Sequence, residues 1–453
     1  MPGNAPFRWV HGDRLLKAGA NMLRTFSPEY AAMRSLHLLL PATILLAGCA
    51  TLPLPSANPP VMDGPPDVVV ISLDGFRADY LDRHETPVVE GLASRGVRAQ
   101  WLVPSFPTLT YPNHYAMITG RYPDHNGIVD NYMDDPWLPG MHFGINSFKT
   151  IDDPRWWSEA TPLWYTLQGT GTRTAEMDWP GADVPHDGVL PALQGLQKEP
   201  EVPALRAETV MGWLRLPEGE RPRLTLVHFE LVDAIGHVWG PDSPRMDAAL
   251  RSVDAAVGGI IRALKRDGEY RNTDIVVLSD HGMAAVDPAH IIYLDDVINL
   301  SSVDVVTMDA LTGIDPFDTV AGRAATAALL QPHAHMHCWR KQDLPTRLHY
   351  GTNPRVPHVE CLAEPGWIIE THRFASLRPF PLRGDHGYDN AAPSMRAIFI
   401  AEGPSFRDGY VAPPFPNVDI YFLLAHILGV APEPGDGSFA EVAGMLRPPT
   451  ARP

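Results

Sequence analysis

The sequence predicts an α/β fold built on a mostly parallel central sheet flanked by helices, and three observations predict it. Continuous apolar, β-branched runs recur at 67–73 (DVVVISL), 224–229 (LTLVHF) and 274–278 (DIVVL), the composition of strands covered on both faces. Each run stops at or near an acidic residue, respectively Asp74, Asp233 and Asp280. Between the second and third runs, residues 247–266 place Leu250, Val253, Val257, Ile261 and Leu264 on one helical face. Strands alternating with helices imply right-handed parallel crossovers, and ligands in such sheets gather beyond the carboxyl ends of the strands.

A chain of 453 residues, 45% apolar and 20% charged, can bury a large core, and its 47 prolines are spread between apolar runs as in a loop-rich globular protein. The net charge of −17 and the absence of long Lys/Arg blocks exclude duplex nucleic acid held on a basic surface. They do not exclude a phosphate substrate, because bound metal ions dominate local electrostatics. Residues 36–48 (LHLLLPATILLAG) follow Arg34 and end at Cys49, too short a run to span a bilayer and patterned as a signal segment over 1–48. Met33 is an alternative start, which would make residues 1–32 upstream sequence. Leu46-Ala47-Gly48-Cys49 resembles a bacterial lipobox, so Cys49 is expected to carry lipid, and Ala50 behind it directs the chain to the periplasmic face of the outer membrane. An ordinary cleaved signal is the alternative. Residues 49–66 read as a Pro-rich tether, 67–430 as the catalytic domain with an insertion at about 285–370, and 431–453 as a C-terminal tail. With Cys49 lipidated, Cys338 and Cys361 remain as an even pair, for which an oxidising periplasm permits a disulfide; two buried thiols are the alternative.

One aspartate after a strand is commonly a helix cap or turn residue, and Asp74 taken alone says little more. Recurrence carries the inference. Asp233 and His237 stand four residues apart, Asp280 and His281 are adjacent, and His386 lies in GDHGY. Three carboxylates and three imidazoles without a thiolate suit two tetrahedral zinc sites, each with an open position for hydrolysis. Thr110 precedes Tyr111-Pro112, and proline at the first turn predicts a helix from here through Met117 whose N-terminus favours an anion. Beside a metal its hydroxyl would lose a proton readily and serve as a nucleophile; otherwise it is a plain N-cap. Asn131, in GIVDN, is either a turn residue or a donor to a phosphate oxygen. His333, His335 and His337 alternate as on one strand face, but no carboxylate follows the same spacing, so the insertion reads as a packed α/β lobe.

In order along the chain stand VISLDGFR, FPTLTYPNHYAMITG, HNGIVDN, WWSEATPLW, WPGADV, DAIGHVWGP, LSDHGM, LPTRLHY, EPGWII and GDHGYDN. This ordered set resembles the nucleotide pyrophosphatase/phosphodiesterases of the alkaline phosphatase superfamily, from about Asp67 to Val430. The resemblance implies an alkaline-phosphatase-like sheet in which Asp233, His237 and His386 hold one zinc and Asp74, Asp280 and His281 a second, about 4 Å away. It further implies Thr110 as the nucleophile between them, Asn131 on the phosphate, a phosphothreonine intermediate and a small phosphodiester or nucleotide substrate. An apolar pocket holding the second ester substituent is expected in such relatives, with Tyr111, Phe143 and Trp179 as its candidates here; ordinary core aromatics are the alternative. His228 stands where many relatives have Tyr, which leaves the preferred ester group open. A phosphomonoesterase or a phospholipid head-group phosphodiesterase of the same superfamily is the alternative. A sulfatase would need Cys or Ser at the position of Thr110, and an inactive scaffold protein would have lost a ligand or the nucleophile.

Overall fold

A computed structural model describes residues 65–145, 148–195 and 201–448, so the expected signal segment, Cys49 and all but the end of the tether lie outside the described residues. The centre is an eight-stranded sheet. Its strands are β1 (Asp67–Leu73), β2 (Val97–Ala99), β3 (Thr174–Met177), β4 (Leu193–Gln194), β5 (Leu224–Phe229), β6 (Thr273–Leu278), β7 (Phe399–Glu402) and β8 (Tyr410–Ala412). They lie in the order β8-β2-β7-β6-β1-β5-β3-β4. From β6 to β4 all neighbours run parallel, while β7 is antiparallel to both β6 and β2.

β1 is wholly buried between β5 and β6, and its side chains alternate between two cores. Val68 and Val70 enter one, and Val69, Ile71 and Leu73 the other. The first core also takes Tyr115, Met117 and Ile118 of α1 (Thr110–Thr119). The second is covered by α2 (Leu231–Trp239) and α3 (Pro244–Asp267). Ser243 caps α3 by accepting from Met246 N–H, and Pro244 occupies its first turn, so the helix begins three residues before the start at Asp247 predicted from sequence. On its inner face Leu250, Val253 and Val257 have no exposed surface, each burial contributing about 1.5–3 kcal/mol. On the other side of the sheet α4 (Asp419–Leu428) packs Ile420, Tyr421, Leu423 and Leu424 beside α1. Residues read from sequence as a C-terminal tail are part of this layer. Glu433 N–H donates to the Tyr421 hydroxyl, Asp436 accepts from Tyr122 N–H, and Met445 is buried.

Between β6 and β7 the chain builds a lobe with its own core and a four-stranded antiparallel sheet, Val303–Val305, Leu311–Pro316, Val359–Ala363 and Met336–Arg340 in spatial order. Cys338 and Cys361 face each other across two strands and are joined by a disulfide closing a separation of 23 residues, which contributes about 3 kcal/mol in the chain-entropy model. His333 bonds the Ala328 carbonyl, His335 pairs with Glu364, and His337 packs on Trp339, so the three histidines do not converge. Buried Arg355 ties the lobe to the main domain through Asp135 and the carbonyls of Gly127 and Trp156. Among the described residues no helix is long and apolar enough to cross a membrane.

Candidate active site

Register places the candidate ligands together. Ser72 lies opposite both His228 on β5 and Leu278 on β6, so Asp74, the start of α2 and Asp280 leave the sheet side by side. All six predicted ligands meet there. His281 Nε2 is 3.0 Å from Asp280 Oδ2 and 3.4 Å from Asp74 Oδ1. Asp233 lies 3.4 Å from both His237 Nε2 and His386 Nε2, and those two nitrogens are 3.1 Å apart. The rings of His281 and His386 stack at 3.7 Å and join the two groups. Asp385, which the sequence reading passed over, stands 3.7 Å from His237 Nδ1 and completes a third donor set with His237 and His386. Its signal was its place next to His386 in GDHG.

The arrangement fits cations. Each ligand histidine directs Nδ1 at a backbone carbonyl, His237 at Gly384, His281 at Gly282 and His386 at Thr108, so in the neutral ring Nε2 is a lone pair aimed inward. Two such lone pairs at 3.1 Å repel unless something positive joins them. Asp74 Oδ1, Asp233 Oδ1 and Asp280 Oδ2 are buried without a hydrogen-bond partner, as carboxylates awaiting a metal are. Burial first, then Asp280 and Asp233, push Asp74 well above the usual carboxylate range. Against desolvation, the Asp233 carboxylate raises His237 to about 9.

Gly75 makes the crossing of these segments possible. It turns the chain after β1 with φ 67°, its N–H donates to Asp280 Oδ1 at 3.2 Å, and a Cβ there would lie 3.0 Å from the Asp233 Cα. Gly75→Ala is expected to destabilise the fold by about 1–2 kcal/mol through the backbone alone and to lower metal content by displacing Asp233. Thermal unfolding and metal analysis check this, and wild-type values in both would contradict it.

Thr110 is the first residue of α1, its Oγ1 3.3 Å from His281 Nε2 and thus at the junction of the two donor groups. Two residues earlier Thr108 accepts from Gly387 N–H and bonds the Tyr388 carbonyl, clamping the nucleophile segment to the His386 loop. Asn113 fixes the segment from below, donating to the Pro107 and Leu109 carbonyls and accepting from Ser105 N–H and Asn417. The expected row of free amides is modified: Tyr111 N–H donates to Asn131 Oδ1 at 3.0 Å, Pro112 has none, and Asn113 N–H bonds Leu109. Positive potential at this helix end therefore acts partly through Asn131, whose oxygen is held and whose NH2 remains to donate. His114, also missed from sequence although it lies one turn after Thr110, bonds the Thr110 carbonyl through Nδ1 and Ser72 Oγ through Nε2.

Of the four residues expected to meet substrate, only Tyr111 is part-exposed. Phe143 is fully buried behind it, with ring centroids 6.1 Å apart. Trp179 and His228 are buried as well, Trp179 at the edge of His114 and His228 against Asp74. These three side chains thus lie beneath the part-exposed Tyr111, packed against the residues that line the site.

Residues 68–389 match the family model for type I phosphodiesterase/nucleotide pyrophosphatase. The human protein named bis(5′-adenosyl)-triphosphatase is 34% identical over 388 residues, 84% of this chain and 82% of that one. Bovine ectonucleotide pyrophosphatase/phosphodiesterase family member 3 is 34% identical over 89% of this chain, which spans only 46% of that longer protein. Among solved structures, murine ectonucleotide pyrophosphatase/phosphodiesterase 5, an inactive threonine-to-alanine variant in complex with AMP, superposes with a TM-score of 0.80 at 33% identity, covering 84% of this chain and 100% of that one.

Proposed function

This chain belongs to the type I phosphodiesterase/nucleotide pyrophosphatase family, and we propose that it splits phosphodiester or pyrophosphate bonds of nucleotides with Thr110 as a covalent nucleophile and two zinc ions as cofactors. Asp233, His237 and His386 would hold one ion, and Asp74, Asp280 and His281 the other. Zinc bound there supplies Lewis acidity to the attacking and leaving oxygens and lowers the pKa of a neighbouring hydroxyl. The chain itself positions the reactants. Thr110 Oγ1 gives its proton to solvent and bonds to phosphorus, the bond from phosphorus to the departing alcohol or nucleotide oxygen breaks, and that oxygen takes up a proton from solvent. Water then displaces threonine from the phosphoryl group. Asn131 directs its NH2 at a non-bridging oxygen where negative charge develops. The 3.3 Å contact between Thr110 Oγ1 and His281 Nε2, at the first turn of α1, carries this reading. An adenine nucleotide is the favoured substrate class, in keeping with one relative's name and the AMP bound to another.

A monoesterase would meet its doubly charged phosphoryl group with an added cation, and the Lys or Arg nearest Thr110 along the chain is Arg121. It sits beyond the far end of α1 and bonds the Pro434 carbonyl. Hydrolysis of bis-p-nitrophenyl phosphate is therefore expected to exceed that of p-nitrophenyl phosphate by tenfold or more in kcat/KM, a difference of about 1.4 kcal/mol in barrier. A large preference for the monoester would replace the diesterase reading by the monoesterase one.

We also propose that Cys49 carries a lipid that holds the enzyme at the periplasmic face of the outer membrane, a compartment in keeping with the Cys338–Cys361 disulfide. Cys49→Ser is expected to shift the protein from the membrane to the soluble fraction; its retention in membranes would exclude the anchor.

A further inference from the structure

We propose that His228 is the positioning residue of the Asp74 metal site, engaging one carboxylate oxygen of Asp74 so that the other is left as the metal donor. The inference rests on the two-metal reading above. His228 lies near the carboxyl end of β5 and is buried. Its Nδ1 is 3.0 Å from the Asp178 carbonyl, which can only accept, so Nδ1 carries a hydrogen. Its Nε2 is 2.9 Å from Asp74 Oδ2; because a bare Nε2 and a carboxylate oxygen both only accept, this contact is a hydrogen bond through a second proton shared by the His228–Asp74 pair. Asp74 Oδ1 has no hydrogen-bond partner and faces His281 Nε2 at 3.4 Å. The two oxygens of one carboxylate thus have separate duties, one set by an imidazole and one open to a cation.

The imidazole is itself held. The edge of His114 packs on it with centroids 4.5 Å apart. Buried Arg206 donates from one terminal nitrogen to the His228 carbonyl at 2.6 Å and pairs through the other with the Asp178 carboxylate. Arg206 therefore fixes both the strand end that carries the ring and the residue whose carbonyl orients it. Asp178 has a left-handed backbone, φ 59°, which turns the chain after β3 at a steric cost for a residue with a Cβ. Asp178, His228 and Glu230 also bring donor atoms within 4.8 Å of one another, which taken alone suggests a third metal site. The ring nitrogens are already engaged by Asp178 and Asp74, and Arg206, 3.7 Å from Glu230, supplies the positive charge there. The cluster is the outer layer of the Asp74 site instead. Hydrogen-bonding partners of metal ligands typically change affinity by about 10–100-fold when removed.

Zinc affinity, measured on the full chain by competition with a chromogenic chelator, tests this without reference to turnover. Wild type is expected to take up two ions, and His228→Ala to weaken one of them by about 10–100-fold while leaving the other within threefold. His228→Gln, whose amide can reach Asp74 Oδ2, is expected to recover most of the loss. On an Asp74→Ala background, His228→Ala should add no further loss. Unchanged affinity at both sites, or equal weakening of both with no recovery by Gln, would overturn the proposal. A wild-type chain that binds fewer than two zinc ions would defeat the two-metal reading, and this proposal with it. Should the alanine chain fail the thermal-unfolding control, the same comparison runs between His228→Gln and His228→Leu.

Discussion

Thr110→Ala is expected to lower turnover of a diester substrate by about three orders of magnitude or more while leaving zinc content and melting temperature close to wild type. The asymmetry follows from what the hydroxyl touches. Thr110 Oγ1 contacts His281 Nε2 but supports none of the hydrogen bonds that hold α1 in place. Those are made by the Thr110 carbonyl to His114, by Tyr111 N–H to Asn131 and by the side chain of Asn113, all of which alanine leaves intact. Removing the nucleophile thus removes a group needed for the reaction and little else. Thr110→Ser keeps the oxygen and is expected to retain measurable activity, and the pair together separates nucleophilic chemistry from helix capping. Steady-state kinetics with metal analysis checks this, and an alanine variant within tenfold of wild type would rule out a covalent threonine.

The positions of Asp74 and Asp280 are legible in the sequence because a buried parallel strand announces itself by an apolar run and its end by the first charged residue after it. Asp233, which follows Glu230, is marked by standing four residues before His237. Since β1, β5 and β6 are adjacent, three strand ends become one place. His237 and His281 are legible by their spacing from these aspartates, and His386 through the family motif. The supporting residues are not, for a physical reason. His114 bonds Ser72 across 42 residues and His228 bonds Asp74 across 154, and no periodicity in either segment encodes the partner. A histidine in a strand looks the same whether its ring faces a pocket or a buried carboxylate, which is why His228 was read as a substrate contact. The same holds for Phe143 and Trp179: an aromatic residue near a motif marks apolar surface, but its direction is set by neighbours such as Trp157, packed 5.7 Å from Phe143. The segment after Val430, read as a tail, takes its order from single contacts to α4 and the preceding loops rather than from a pattern.

Stripping metal with a chelator is expected to abolish hydrolysis and to lower the melting temperature, and zinc is expected to restore both. The stability change follows from linkage: an ion present at 1,000 times its dissociation constant stabilises the folded state by about 4 kcal/mol, provided the unfolded chain does not bind it. The cage makes that dependence strong, since Asp74 Oδ1, Asp233 Oδ1 and Asp280 Oδ2 are buried and face the ligand histidines. The pH dependence has a definite sign. In the metal-free cage burial works against a charged His237, but the Asp233 carboxylate prevails and raises it to about 9. At pH 7.5 the ring is therefore protonated before metal arrives and must release that proton to bind. Apparent zinc affinity should rise about tenfold per pH unit from this group alone as pH increases toward 9, and level off above it. Conversely, the contribution of the Asp233–His237 pair to stability of the metal-free fold is present below the unfolded imidazole value and is lost as pH rises through 9. Chelator competition at a series of pH values, with proton release followed by calorimetry in buffers of different ionisation enthalpy, measures both. An affinity that does not change between pH 6.5 and 8 would mean that His237 is neutral in the metal-free cage or is not a ligand, and His237→Ala separates the two.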